Sequence, residues 1–245
     1  MIVSKKNEKV KFIRSLFEKK YREEFCLYIA EGIKLVREAI KYNQPIKYIV
    51  GVPDLLNSLN VPNGVEVIEV NKEVYDYISN EVSPQGVLCV IQIMQNSNIK
   101  IEGDSILLDR VRDAGNVGTI IRTAVASGIT NILMYDSADP YSPKAVRASM
   151  SGIYLANIVI ADIETLLKSI NAPLLIADMQ GENVFEYNTP KNFCLVIGNE
   201  ANGVSEYLKN LADVKIRIPM QNEIESLNAG VSSAILTYTL LNRRR

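Results

Sequence analysis

Residues 105–127 read SILLDRVRDAGNVGTIIRTAVAS: an apolar pentad, a polar loop with two glycines, and then a run of helical character. Ser105–Asp109 is expected as a strand. Val117–Ser127 is expected as a helix, carrying apolar Ile120, Ile121, Ala124 and Val125. A strand feeding a helix is half of a crossover between parallel strands, so the fold turns on whether the unit repeats.

It does repeat. Downstream come strand Asn131–Tyr135, helix Lys144–Met150, strand Ala156–Ile160, helix Ile163–Ile170 and strands Pro173–Ala177 and Phe193–Ile197. Helix Ser205–Leu211, strand Lys215–Pro219 and a last helix from about Leu227 to Leu241 follow. Upstream, strands Cys26–Ala30, Ile46–Val52, Val65–Val70 and Gly86–Ile93 alternate with helices Gly32–Lys41, Asp54–Leu59 and Lys72–Ser79. Before them, Val10, Phe12, Ile13, Leu16 and Phe17 recur at helical spacing among charges over residues 7–22. Strands separated by helices imply parallel sheets covered on both faces, an α/β fold. The polar stretch MQNSNIKIEG at 94–103 divides it into a domain at 1–95, a linker at 96–103 and a larger domain at 104–245.

The 245 residues, 47% hydrophobic, suffice for two ordinary cores. No apolar run reaches the roughly 18 residues of a membrane span, and the opening MIVSKKN lacks a signal-peptide stretch. A cytoplasmic protein without membrane contact is expected. His is absent, which excludes a Ser-His-Asp triad, a Cys-His dyad and a His-based metal site, and no metal is expected. Cys26, Cys89 and Cys194 stand far apart among apolar neighbours and form no CxxC pair or disulfide framework. Neither G-x-G-x-x-G nor a P-loop signature occurs. Residues 1–22 hold Lys5, Lys6, Lys9, Lys11, Arg14, Lys19, Lys20 and Arg22 against Glu8 and Glu18, and Arg243–Arg245 close the chain, although the net charge is −1. A basic head and tail on an acidic body suit local contact with a polyanion, or else a solvated helix face and a frayed terminus.

Ligands of parallel α/β domains sit beyond the carboxyl ends of strands, and three such loops stand out. After Ser105–Asp109, Gly115 and Gly118 admit close backbone approach, Asn116 is placed to cap the helix from Val117, and Arg122 lies among apolar residues. A desolvated Arg needs an anionic or carbonyl partner, which is a ligand or else Asp109 or Asp113. After Phe193–Ile197, the loop Gly198-Asn-Glu200-Ala-Asn-Gly203 can wrap a ligand with its backbone, or Glu200 bonds nearby amides. After Lys215–Pro219, Ser226 and Asn228 straddle a helix start as a capping pair would. Small residues Ala229, Gly230, Ser232, Ser233 and Ala234 let that helix approach another backbone closely.

Together these segments resemble the SpoU/TrmH family of RNA 2′-O-ribose methyltransferases, in the knotted SPOUT superfamily. Asn116 and Arg122 match the first motif. Gly198, Glu200 and Gly203 match the G-x-E-x-x-G loop. Ile218-Pro219-Met220 with Ser226-Leu227-Asn228 matches the third motif. Ala229-Gly230 departs from the usual Val-Ser, and Asp109–Arg112 lacks a common Pro. Asn7–Lys11, Glu31–Val36 and Ser83–Val87 are similar to the RNA substrate-binding domain fused to many members, itself like a small ribosomal-protein fold.

The resemblance implies a C-terminal parallel sheet ending in a trefoil knot, S-adenosylmethionine as cofactor, and methyl transfer to a ribose 2′-hydroxyl. The implied RNA is 23S ribosomal RNA, with tRNA methylation or an inactive RNA-binding member as alternatives. Arg122 would orient a phosphate and stabilise the alkoxide, since its pKa above about 12 makes it an awkward base. Asn116, Glu200, Ser226 and Asn228 would position it and the substrate. Gly198, Gly203, Ile218, Met220, Leu227 and Asn228 would hold the cofactor, its adenine in an apolar slot. Lys5, Lys6, Lys9, Lys11 and Arg14 would meet RNA phosphates. A homodimer with the site at the subunit interface is implied as well.

Overall fold

In the computed structural model, which describes residues 1–94, 100–221 and 226–244, the chain divides into two units. One comprises Met1–Met94 with Tyr141–Tyr154, the other Gln95–Pro140 with Leu155–Arg245.

The first unit runs α1 (Glu8–Ser15), α2 (Lys19–Phe25), β1 (Leu27–Glu31), α3 (Ile33–Lys41), β2 (Ile46–Gly51), α4 (Pro53–Leu56), β3 (Glu66–Glu69), α5 (Lys72–Ile78) and β4 (Val87–Gln92). Its strand order is β1-β4-β2-β3. Only β2 and β3 run parallel; β4 is antiparallel to both neighbours, with Cys89 between Ala30 and Ile49. The all-parallel expectation fails here because Val87–Ile91 is buried throughout. Burial on both faces reads alike in sequence whichever way a strand runs. Val10, Ile13, Tyr75 and Ile78 close over Ile29, Val50, Ile68 and Val90 to form the core.

The single helix expected over residues 7–22 is broken at Leu16–Glu18. Arg22, only 4% exposed, donates to the carbonyls of Leu16 at 2.9 Å and Phe17 at 2.7 Å. The last carbonyls of a helix lack helical partners, and here a side chain satisfies two around the end of α1. One cation of the basic head is thus an internal fastener. The segment Tyr141–Tyr154, with α7 (Pro143–Ser149), also belongs to this unit, although the expected boundary placed it in the second domain. The Tyr154 hydroxyl donates to the Leu35 carbonyl at 3.1 Å, and the Tyr141 ring packs 5.0 Å from that of Tyr28. A boundary drawn along the chain cannot register a helix that joins another core.

The short α8 (Gly152–Leu155) ends the segment that belongs to the first unit, and the second unit holds β5 (Ser105–Asp109), α6 (Ala114–Ser127), β6 (Asn131–Tyr135), β7 (Asn157–Ile160), α9 (Ile163–Ser169), β8 (Leu174–Asn183), β9 (Cys194–Ile197), α10 (Glu206–Asn210), β10 (Val214–Arg217) and α11 (Ala229–Asn242). Its six strands lie in the order β10-β8-β9-β5-β6-β7 and all run parallel, as expected. Leu107, Leu133, Ile176, Cys194 and Val196 lie in its core. Of the expected linker, residues 96–99 lie outside the described residues. Ile101 is not linker at all: it is buried and bridges to Ile170. Of the basic tail, Arg243 and Arg244 are held in place. Arg244 pairs with Asp104 at 2.5 Å, and Arg243 Nε donates to the Tyr187 carbonyl at 3.1 Å.

The sheet order is what positions the site. The order β10-β8-β9-β5 brings the loops after β10, β9 and β5 to one edge, the edge where parallel α/β sheets take ligands. The helix α11 closes on α6: a Cβ on Gly230 would lie 3.0 Å from Thr119 Cγ2. The close approach expected of its small residues is therefore made within the chain.

Candidate functional site

The chain leaves β5 through Asp109, whose buried carboxylate accepts from Arg110 Nε at 3.0 Å and from the Ser205 amide at 2.6 Å. Arg110 takes a left-handed turn, φ +56°, and its carbonyl accepts from Asn199 Nδ2 at 2.9 Å. Asp113 then caps α6 by accepting from the Asn116 amide at 2.9 Å. This corrects the expectation that Asn116 is the cap. Asp113 stands three residues earlier, where a side-chain oxygen reaches the third helical N–H. Freed of capping, the Asn116 side chain donates from Nδ2 to Glu200 Oε1 and accepts at Oδ1 from Asn228 Nδ2, both at 2.9 Å.

Glu200 reaches across to the first loop, where its carboxylate also accepts from the amides of Arg112 at 3.0 Å and Asp113 at 3.1 Å. Partial burial pushes its pKa up, but the hydrogen bonds from Asn116 and these amides outweigh that and hold the carboxyl below its usual range. Its own loop is closed by reciprocal amide–carbonyl bonds between Asn199 and Gly203, with Gly203 at φ +66°. A Cβ on Gly198 would fall 2.1 Å from the Val204 nitrogen, so this glycine is required by the contact of backbone with backbone. Asn228 completes the set. Its Oδ1 accepts from the amides of Gly230 at 2.9 Å and Val231 at 3.2 Å, so one side chain both caps α11 and ties it to α6.

Beside this line opens a cleft of about 830 Å³, bounded by Gly198, Glu200, Gly203, Ser226, Leu227 and Asn228. A smaller cavity of about 120 Å³ is lined by Ile218, Met220, Leu227 and Leu236. Every residue expected to hold the cofactor therefore lies on one cavity or the other. Residues 222–225 of the third motif lie outside the described residues. Sequence reasoning missed the opposite wall, Ala177, Asp178, Met179 and Gln180 on β8, with Lys209 from α10 paired to Asp178 at 3.5 Å. The signal was available. The rule that drew attention to the other strand ends applies equally beyond Ala177, but β8 continues through Asn183 rather than ending in a loop.

Arg122 is not brought to this line. Six residues beyond Asn116 it is turned about 240° around α6 and carried about 9 Å along it. It is exposed, and no hydrogen bond or ion pair engages it among the described residues. The expectation of a desolvated Arg with a partner in the same chain fails because the apolar stripe of α6 runs through Val117, Ile120, Ile121 and Ala124, leaving Arg122 off it.

The basic head is also less free than its charge count suggests. Lys5 pairs with Glu73 and Lys11 with Glu8, both at 2.8 Å, and Lys9 pairs with Glu66. Arg14 stacks on the Tyr77 ring, 4.1 Å from its centroid, and donates to the Tyr77 carbonyl. Lys6 has no side-chain partner among the described residues. Among the described residues no group of three or more Cys, Asp and Glu side chains could hold a metal ion. No helix there is long and apolar enough to cross a membrane.

Known proteins share this arrangement. Residues 105–238 match the family described as the SpoU rRNA Methylase family, and residues 7–89 match the MRM3-like substrate binding domain. A 23S rRNA (guanosine(2553)-2′-O)-methyltransferase of Bacillus subtilis strain 168 is 28% identical, with 98% of each chain covered. A 23S rRNA (guanosine-2′-O-)-methyltransferase of Xylella fastidiosa strain Temecula1 is 26% identical over 74% of this chain and 79% of its own. The crystal structure of an AdoMet-bound rRNA methyltransferase from Sinorhizobium meliloti superposes with a TM-score of 0.88 at 31% identity, covering 98% of this chain and 97% of that one.

Proposed function

The chain belongs to the SpoU rRNA methylase family, and from that premise we propose that it transfers a methyl group from S-adenosylmethionine to a ribose 2′-hydroxyl of 23S ribosomal RNA in the bacterial cytoplasm. The observation that carries this reading is the hydrogen-bonded line Glu200–Asn116–Asn228, which joins all three family motifs at the rim of one cleft.

The cleft residues fit the cofactor. Ala177, Ile218, Met220, Leu227 and Leu236 supply apolar walls for an adenine, and Asp178 and Glu206, both paired with Lys209, give the cleft a polar side. The close backbone contacts at Gly198 and at Gly181, where a Cβ would lie 2.4 Å from the Ile216 nitrogen, suit the tightly wound, knotted path of the superfamily. When bound, S-adenosylmethionine supplies an electrophilic methyl on a positively charged sulfur, so neither a metal nor an imidazole is required.

Glu200 holds the loop 109–113 in place through two amides, and Asn116 and Asn228 hold the starts of α6 and α11 against it. Arg122, bare in one chain, orients an RNA phosphate and stabilises the developing alkoxide electrostatically. Its exposure off the cleft fits a site completed by a second copy of the chain. Exposed Val231 and Tyr238, seven residues apart on α11, offer an apolar face for that homodimer. Ser226 lies on the cleft wall and would contact the cofactor or the substrate. The first unit, with its basic head, would deliver the RNA.

Mapping 2′-O-methylation in total RNA with and without the gene tests the reading. A 23S site lost only in the deletion strain supports it, and an unchanged map overturns it. Calorimetry with S-adenosylmethionine separates the methyltransferase from an inactive RNA-binding member of the fold.

A further inference from the structure

A second groove lies in the first unit, between the α1–α2 corner and the end of α5. It encloses about 360 Å³, and Lys11, Arg14, Tyr21, Tyr77 and Asn80 are among the residues that line it. That volume falls within the range of small-ligand sites, roughly 300–1,000 Å³. We propose that this groove takes a single unpaired nucleotide of the RNA substrate, its base stacked against the Arg14–Tyr77 pair and Tyr21, and its phosphate met by Lys11. The inference rests on the RNA methyltransferase reading and adds to it the place and manner in which an unpaired base is held.

Three features favour that occupant. The guanidinium of Arg14 already sits over the Tyr77 ring, 4.1 Å from its centroid, and donates to the Tyr77 carbonyl. A plane of this kind presents a stacking surface whose ordering cost has been met in the free protein, and Arg planes and aromatic rings are what unpaired RNA bases stack on. A second ring, Tyr21, lines the same groove, and Lys20 lies 5.6 Å from its centroid. The surroundings are cationic, with Glu18 as the one carboxylate on the groove. Lys5 and Lys9 are paired with Glu73 and Glu66, and Lys11 with Glu8, an exposed ion pair of the kind worth little, so that Lys11 can exchange Glu8 for a phosphate beside Arg14. A double helix presents its bases edge-on in its grooves, not by their faces, which excludes it from a stacking pocket of this size.

The test uses the full chain and three fluorescently labelled probes: hexauridylate, an abasic strand of the same length, and a blunt RNA duplex of that length. Wild type should bind hexauridylate best. Tyr21→Ala and Arg14→Ala should each weaken that binding about tenfold, as expected for loss of one stacked base at about 1–3 kcal/mol. They should scarcely change binding to the abasic strand, while Tyr21→Phe retains wild-type affinity. Lys11→Gln should weaken all three probes alike and lessen the salt dependence. S-adenosylmethionine affinity, read by calorimetry, should be unaffected in every variant and shows the second unit intact, while circular dichroism and a wild-type unfolding midpoint show that the first unit is folded. Unchanged hexauridylate binding in both alanine variants overturns the groove, as does equal binding of abasic and intact strands by wild type. Either result leaves the methyltransferase reading standing, because that reading falls only if the RNA methylation map and cofactor binding fail.

Discussion

One helix, α6, carries two polar residues six positions apart that the fold treats in opposite ways. Asn116 is held at both ends of its amide by Glu200 and Asn228, across three loops. Arg122 has no partner among the described residues and stands exposed. A side chain that is satisfied within the fold builds the shape of a site, while an exposed cation without a partner in the chain is free to meet what arrives. On the proposed reading the Asn116 end is architecture and the Arg122 end chemistry, so substitutions at the two ends should differ in kind.

The largest effect should come from Arg122→Ala. Methyl transfer should fall by about 10³-fold or more, the scale of losing a group that stabilises charge in the transition state, while calorimetry shows unchanged S-adenosylmethionine affinity and denaturation shows unchanged stability. A variant near the wild-type rate would erase the contrast. Next is Gly198→Ala, which forces a methyl group into the Val204 backbone and should cost about 3 kcal/mol or more in urea unfolding, with cofactor affinity falling in parallel. Asn116→Ala should cost about 1–3 kcal/mol, because it strands the Asn228 donor and removes one of the donors to Glu200, whose carboxylate keeps the two backbone amides.

Glu200→Gln should be milder, about 1–2 kcal/mol at neutral pH, and its pH dependence has a fixed sign. The folded pKa is lowered, so the carboxylate's contribution is fully present above the unfolded value of about 4.3 and is lost as pH falls through the folded value. The gap between wild type and variant in thermal unfolding should close on acidification; a gap that widens would contradict the assignment. The smallest effect belongs to Lys9→Gln, which breaks an exposed pair with little bearing on stability and should show only as a shallower salt dependence of RNA binding.

Much of this was legible before any coordinates. The strand–helix alternation from Ser105 to Leu241 anticipated the parallel sheet; two of the three loops singled out at its strand ends line one cleft, and hydrogen bonds through Asn116 tie the first loop to them. What escaped reading has common causes. Periodicity records burial rather than direction, so β4 concealed its antiparallel course. Asp113 and Asn116 are both capping residues three positions apart, and only the backbone decides which one caps. Ile101 looked polar by its neighbours but is buried by a bridge to a residue far along the chain. Arg22 counts as surface charge in composition and turns out to close the end of α1. Arg122 among apolar neighbours suggested burial, because adjacency in sequence is not adjacency on a helix.

The decisive measurement is methyl transfer by the purified chain from labelled S-adenosylmethionine to 23S ribosomal RNA taken from a strain lacking the gene. The proposed chemistry predicts a methyl group on a ribose 2′-oxygen, with the rate collapsing in Arg122→Ala. A methyl group on a base, or wild-type incorporation no faster than that of Arg122→Ala, would contradict it.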